Sequence, residues 1–423
     1  MSNKRKSSIA LLWNESHIWG LMLWRALKHY NLPLQILKSE DIANGVLARQ
    51  KPAALLVPGG WAKRKAKSLG RAGRAAIQEY VSQGGTYIGF CGGAGLALTT
   101  PKTGPSLELC PWDRKPFDQR LPNCSGYIYL HLQTDDNLLN NYPQNEMLAP
   151  IWWPSQFKAT AHSDVKILAT YSSPGSDFWV ADLPLEQSVL EGLHLWEDHY
   201  GINLHPDYLA QDPCIIQGKF GQGNYLLSYT HLETPDSKEA NALLAYILKN
   251  LAPLEINLQT PSPVSAWNLK RVPQSESHPE LLQAKACLED IIQIGLQNRQ
   301  LSWRKEWLLG WKRGIPGFAL NTLYALVSQS LNLAPSSESI FYWQKKQKNF
   351  LEKIYRFRAG FINYLNSEAQ LENKKPSSPV SSSCSDLQEI RLNLVGPFPG
   401  QGGLFGEMVL FMQKLLYTQI LNN

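Results

Sequence analysis

No apolar run in this 423-residue chain approaches the roughly 20 residues needed to cross a bilayer. The longest, around Ala53–Val57 and Ile215–Ile216, are strand-sized, so no membrane span is expected. The polar, basic stretch Met1 to Ser8 is followed by only a short apolar segment before Asn14 and Glu15, which fails as a secretory signal, and cytoplasmic residence is expected. Cysteine is scarce: six residues, at 91, 110, 124, 214, 287 and 384, give neither the density of a disulfide scaffold nor the close pairing of a zinc site. Charge of one sign is lacking too. With 41 Lys+Arg against 35 Asp+Glu the net charge is +6, a mild excess that suits an anionic partner without demanding one. Internal repeats are absent, and Gly221-Gln222-Gly223 is too short for a dinucleotide fingerprint and reads as a hairpin turn, so no cofactor is expected. His194, Glu197, Asp198, His199, His205 and Asp207 cluster in sequence, but their spacing matches neither a helical face nor strand alternation, and no metal site is assigned.

What the chain does have is enough apolar material for a core: 43% hydrophobic against 18% charged residues. Its first hundred residues alternate between strand and helix. Ile9–Trp13 is a short apolar run, Ser16 is placed to cap a helix bearing Ile18, Leu21, Leu23, Trp24 and Leu27, and Leu34–Leu37 follows. Ala53–Val57 then ends in Pro58-Gly59-Gly60, an Ala-rich basic helix runs to Val81, and Gly84-Gly85 stops it before Thr86–Phe90. This order predicts an α/β fold with a mostly parallel, doubly wound, flavodoxin-like sheet. Short aromatic runs at Tyr127–Leu132, Val165–Tyr171 and Phe178–Ala181 read as antiparallel additions. A hairpin at Cys214–Tyr229 and a helix from Lys238 to Leu251 close a first domain, 1–255.

Residues 256–279 are rich in Pro, Ser and Gln and read as a linker. A C-terminal helical domain, 280–372, is expected from Leu281 to Leu296, from Trp303, Trp307, Leu308 and Trp311, from Phe318–Leu331, and from Ile340 to Leu365. His278-Pro279-Glu280 reads as the start of its first helix. The serine-rich stretch 373–386 reads as a disordered linker, and 387–423 as a helical tail. In the long helix, Lys345, Lys346, Lys348, Lys353, Arg356 and Arg358 alternate with aromatics spaced for packing, which favours a core stripe with a solvated face over nucleic-acid contact.

Chemistry concentrates at Gly89-Phe90-Cys91-Gly92-Gly93-Ala94-Gly95, directly after a strand and before a helical run. This is the pattern of a nucleophile elbow with Cys in the reactive position, where small neighbours permit a strained strand-to-helix turn and the helix N-terminus favours a thiolate. The alternative is a small buried thiol in a Gly-rich turn. A nucleophilic Cys needs a base and a group to orient it. His231, just after strand Asn224–Tyr229, is the candidate base, since the carboxyl ends of parallel strands converge on one edge of the sheet. Glu233 is the candidate orienting carboxylate; the alternative is that both are surface loop residues. The basic stretch Lys63, Arg64, Lys65, Lys67, Arg71 and Arg74 reads as a solvated helix face, with attraction of an anionic ligand as the alternative.

Pro58-Gly59-Gly60 after a strand, the Gly89–Ala94 elbow, and Gly221-x-Gly223 leading through Leu226-Leu227-Ser228 to His231-x-Glu233 together resemble the class I glutamine amidotransferase fold. More narrowly, Val57-Pro58-Gly59-Gly60 and Tyr87–Ala94 resemble the N-terminal domain of eukaryotic biotin–protein ligases and its stand-alone bacterial relatives, over about residues 8 to 252. The resemblance implies Cys91 as nucleophile, His231 as base, Glu233 as orienting carboxylate, and an oxyanion hole from the N–H of Gly92 and one from the Gly59-Gly60 turn. Leu232 stands where the amidotransferase pattern has Pro, and no synthase or ligase domain follows. The expected function is therefore a cysteine hydrolase acting on a small amide or acyl molecule, with a protein partner recruited by the C-terminal helices and no nucleic acid involved. The alternative is a non-catalytic ligand-binding module of the same fold.

Overall fold

Ile9–Leu12 (β1) is buried along its whole length, as a strand covered on both faces must be. It pairs in parallel with β2 (Leu34–Leu37) on one side and β3 (Ala54–Val57) on the other, and β3 pairs in parallel with β4 (Thr86–Phe90). The crossovers are α1 (His17–His29), then the short α2 (Ser39–Ala43) and α3 (Val46–Gln50), then α4 (Ala62–Ser82), while α5 (Gly92–Ala97) leaves β4 directly. Strand order reverses between β1 and β3, which makes the carboxyl edge there the switch point of the sheet.

After α5 the chain adds β5 (Asp113–Arg114), β6 (Cys124–Leu132), β7 (Glu146–Trp152), β8 (Phe157–Lys158), β9 (Lys166–Val180) and β10 (Leu183–Pro184). Two short helices, α6 (Gln187–Leu190) and α7 (Leu193–Tyr200), lead to the hairpin β11 (Pro213–Phe220) and β12 (Gly223–Ser228), and α8 (Lys238–Leu251) follows. The central sheet runs β2-β1-β3-β4-β12-β11-β9-β6-β7, with β10 paired to β9. Strand β12 is the hinge of this arrangement: it lies parallel to β4 and antiparallel to β11, joining the parallel half to the antiparallel additions. The Gly221-Gln222 turn of the hairpin uses a positive φ of 59° at Gly221.

This computed structural model describes residues 8–99, 104–135, 138–160, 164–252, 262–271, 278–372, 383–397 and 402–421. The chain forms two compact units, Met1–Ala266 and Trp267–Asn423. In the first, Ala10, Leu12, Leu55, Val57, Tyr87 and Leu227 pack on one face of the sheet against Ala66, Leu69, Ile77 and Val81 of α4. The alternate residues Leu11, Leu56, Ile88 and Leu226 are equally buried. Gly70 breaks α4 with φ 61° and ψ −172°, a conformation open to glycine. Tyr30, at the end of α1, donates its hydroxyl to the Asn241 carbonyl of α8 at 2.9 Å.

The second unit is built from α9 (Pro279–Gln297), the hairpin β13 (Leu301–Lys305) and β14 (Leu308–Trp311), α10 (Gly317–Leu331), α11 (Ser337–Glu372), α12 (Ser383–Val395) and α13 (Gly403–Ile420). Helix α9 begins at His278-Pro279-Glu280 with Pro at its first position, as expected. The expected helix through Trp303, Trp307, Leu308 and Trp311 is instead the β13–β14 hairpin. Tryptophans four apart imitate a helical face, but Gly310 disfavours helix and packs flat across the hairpin, its Cβ position 2.7 Å from Ser302 Oγ. Helix α10 is buried nearly all round, which a central helix tolerates. Gln419 of α13 binds it twice, accepting from Ser330 Oγ at 2.7 Å and donating to the Ser330 carbonyl at 3.0 Å. The α11 stripe Trp343, Phe350, Ile354, Phe357 and Phe361 is buried, while Lys345, Lys346, Lys348 and Arg356 are exposed, giving the core stripe and solvated face. Half of the linker expected at 256–279, residues 256–261 and 272–277, lies outside the described residues, as does 373–382; residues 383–386, expected in the second linker, open α12. No helix among the described residues is long and apolar enough to cross a membrane.

Phe357 is fully buried in α11, so Phe357→Ala is expected to cost about 3–5 kcal/mol in urea denaturation. Lys346→Ala on the exposed face is expected to stay within about 0.5 kcal/mol of the unaltered protein. Similar costs for the two would contradict the assignment of faces.

Candidate active site

Four segments leave the carboxyl ends of parallel strands and meet: Trp13–His17 after β1, Pro58–Gly60 after β3, Cys91 after β4, and Tyr229–Glu233 after β12. Cys91 sits at the strand-to-helix turn with φ 48° and ψ −105°, a conformation a residue with a Cβ adopts only when its surroundings hold it there. Its N–H donates to the Ser228 carbonyl of β12 at 2.7 Å. Small neighbours are obligatory here. A Cβ on Gly92 would stand 1.7 Å from the Gly60 oxygen, one on Gly93 2.0 Å from the Val57 oxygen, and one on Gly89 2.6 Å from the Gly93 oxygen. The sulfur-bearing residue itself is half-buried, whereas Cys110, Cys124, Cys214 and Cys287 are buried. Burial pushes all four of those thiols up.

His231 and Glu233 are fully buried, not surface residues. The His231 Nδ1 lies 2.7 Å from Glu233 Oε1, which leaves Nε2 as the free face of the ring. Nε2 has no hydrogen bond of good geometry, and the side chain and charge of Cys91 act on the ring. A close but poorly aligned pair is common before substrate binds. Burial opposes charge on the imidazole, but Glu233 and Cys91 outweigh it and raise it to about 10. The loop is fixed from behind: Asn241 Nδ2 donates to the Leu232 and Thr234 carbonyls at 2.8 and 2.9 Å, and Thr234 Oγ1 donates to the His231 carbonyl at 2.8 Å while accepting from Trp152 Nε1 at 3.0 Å.

The Gly59-Gly60 turn lies between the ring and the elbow. A Cβ on Gly59 would meet Trp19 Cγ at 2.9 Å and His231 Cε1 at 3.0 Å. Gly60 has φ 111°, and a Cβ there would stand 2.2 Å from the Glu15 oxygen. Thus Gly59, Gly60, Cys91, Gly92, His231 and Glu233 all occupy one edge.

Sequence reasoning missed other members. Trp19 lies against the His231 ring, with centroids 4.4 Å apart, and Trp153 stands 6.4 Å from Trp19. Tyr229 is buried, with its hydroxyl 3.7 Å from the Cβ position of Gly95. Lys65, expected on a solvated face, is fully buried. Its Nζ donates to Ser16 Oγ at 2.6 Å and the Asn14 carbonyl at 3.3 Å. Ser16 correspondingly makes no cap to α1; its hydroxyl bonds the Leu12 carbonyl at 3.0 Å. The other five cations of that stretch do remain wholly or partly exposed. Glu15 and His17 both carry positive φ, 56° and 48°, and their side chains approach to 3.5 Å. The signal that could have found this group is the polar Asn14-Glu15-Ser16-His17 run immediately after the first strand. The sequence cluster from His194 to Asp207 makes local contacts instead: Glu197 accepts from the Leu204 and His205 N–H groups, and His205 pairs with Asp207.

The class these features define is a doubly wound α/β domain with thiol, imidazole and carboxylate gathered at the carboxyl edge of its sheet. Residues 29–100 match the family model described as biotin-protein ligase, N terminal. That span holds Gly59, Gly60, Cys91 and Gly92, while His231 and Glu233 lie beyond it. No curated protein matches the chain. Similar solved structures include PurLQS from Thermotoga maritima, at 12% identity over 58% of this chain and 100% of that one, with a TM-score of 0.39. A glutamine amidotransferase from Thermotoga maritima is 10% identical over 58% of this chain and 84% of that one, with a TM-score of 0.34. A beta-galactosidase from Bacillus circulans sp. alkalophilus is 14% identical over 62% of this chain and 33% of that one, with a TM-score of 0.36.

The raised imidazole makes stability depend on pH. His231 holds its proton up to about 10 in the folded chain against an ordinary value of 6.5, so its contribution is complete below pH 6.5 and lost as pH rises through about 10. Lys65, pushed down to about 7 by burial from an ordinary 10.5, acts oppositely across the overlapping window. Comparison with Glu233→Gln separates them: the melting-temperature advantage of the unaltered protein is expected to be larger at pH 6 than at pH 10. An equal advantage at both would contradict the pairing.

Proposed function

We propose that Met1–Ala266 is a cysteine hydrolase of the glutamine amidotransferase-like type, acting on a small amide or acyl substrate with Cys91 as nucleophile, His231 as base and Glu233 as orienting carboxylate. The observation that carries this reading is the buried His231–Glu233 pair, 2.7 Å apart, with Cys91 among the groups that act on the charge of the ring. Such a constellation is what a thiol nucleophile requires. In this reading His231 already holds the proton that Cys91 gives up, as a thiolate–imidazolium pair, and Sγ attacks the substrate carbonyl. The oxyanion is met by the N–H groups of Gly92 and Gly60; Gly92, as a first helical residue, has no acceptor within its own helix. The imidazolium then protonates the leaving amine, a thioester remains on Cys91, and water deprotonated by His231 releases the acid. Glu233 holds the ring in the tautomer that presents Nε2 and stabilises its charge. The second unit, Trp267–Asn423, recruits a protein partner.

The test is alkylation with iodoacetamide at pH 6 followed by mass spectrometry, together with ammonia or acid release from a panel of small amides that includes glutamine. Cys91 is expected to label selectively over Cys110, Cys124, Cys214 and Cys287. Cys91→Ala is expected to abolish turnover, and His231→Ala to lower it by about 10²–10⁴. Sluggish labelling of Cys91 with no turnover would favour the non-catalytic ligand-binding module instead.

A further inference from the structure

We propose that Lys65 is a positioning residue of this site: its ammonium braces the turn after β1, which supports the Gly59-Gly60 turn against Gly92, and it supplies positive charge near the sulfur that attacks. The inference rests on the reading of Cys91 as a nucleophile. Lys65 occupies the buried stripe of α4 that is otherwise apolar or small, with Ala66, Leu69, Gly73 and Ile77. The fold alone does not call for a cation there, since an apolar side chain would fill the position without the cost of burying a charge. Its placement links the strand-end turns in series. Nζ holds Ser16 Oγ and the Asn14 carbonyl. Its Cε lies 3.4 Å from the Cβ position of Gly60, the Glu15 oxygen crowds the same position at 2.2 Å, and Gly60 in turn abuts Gly92. Loss of Lys65 therefore frees the support of the Gly59-Gly60 turn as well as a charge.

The charged surroundings agree with this role. Burial works against the Lys65 charge, bringing it to about 7, while Glu15 from the turn after β1 and Cys91 from the turn after β4 sustain it. Glu15 is itself held below the usual carboxylate range: burial works against that, but His17, Arg64 and Lys65 outweigh it. Cys91 also acts on His231 and Tyr229 beyond β12 and on Tyr171 on β9. Lys65 is thus a cation acting on Cys91 besides the ring that Glu233 holds.

The experiment follows the rate of Cys91 alkylation by iodoacetamide from pH 5 to 9 in the full chain, with the melting temperature recorded for each variant. In Lys65→Met the rate at pH 6 is expected to fall about tenfold, and the half-maximal point to move up by about one pH unit. In Lys65→Arg, which keeps a charge, the rate at pH 6 is expected to lie between those two. Ser16→Ala, which removes only the hydroxyl anchor, is expected to give a smaller fall in the same direction. A folded Lys65→Met with an unchanged pH profile and only a lower melting temperature would overturn the proposal and leave the nucleophile reading intact. Should Lys65→Met fail to fold, an unchanged rate in Ser16→Ala overturns it. If Cys91 in the unaltered protein reacts no faster than a free thiol, the nucleophile reading fails and this inference with it.

Discussion

Gly92 and Gly60 touch backbone to backbone, so closely that a methyl group on Gly92 would overlap the Gly60 oxygen at 1.7 Å. That contact brings the turn after β3 against the turn after β4, and everything at the site is referred to it. It leaves Cys91 no room for a relaxed backbone and so holds the residue at its positive φ. It sets the Gly59 edge against His231 and Trp19, and it transmits the position of Glu15 and Lys65 to the elbow. Gly93 against Val57 and Gly89 against Gly93 repeat the device one layer deeper. Glycine is required at these positions because backbone meets backbone there, a more demanding condition than freedom of φ alone.

The site also buries an unusual amount of charge for one sheet edge. His231, Glu233 and Lys65 are each fully enclosed, and isolated ions in such places would be expensive. They persist because each meets an opposite charge or an oriented dipole: His231 and Glu233 each other, Lys65 the Ser16 hydroxyl, the Asn14 carbonyl and the charge of Glu15. Breaking one partner would strand the other, which makes the group interdependent. Trp19 adds an aromatic wall against His231, a surface that favours the positive ring.

Much of this was legible in the sequence because the governing physics is local. Fully apolar four-residue runs such as Ile9–Leu12 and Ala54–Val57 announce strands buried on both faces, and Gly-Phe-Cys-Gly-Gly announces a turn that only small residues permit. His231 and Glu233 followed from topology, since the hairpin had to deliver them to the same edge as the elbow. Lys65 was not legible. Five neighbouring cations lie at the surface, and what draws the sixth inward is a hydroxyl and a carbonyl about fifty residues earlier, a long-range match that periodicity does not encode. The β13–β14 hairpin failed for a related reason: Trp303, Trp307 and Trp311 recur at a spacing that suits a helix, and cross-strand packing of Gly310 on Ser302 decides otherwise.

The antiparallel strands are inserted between β4 and β12, so the thiol and its imidazole stand about 140 residues apart in the chain while sitting side by side in space. A contact of such long range forms late, because the loop it closes must be ordered first. During synthesis the elbow emerges well before its partner, and the nascent protein carries Cys91 without the His231 ring. The geometry of this edge is therefore assembled only when the last parallel strand docks, which ties it to completion of the whole sheet.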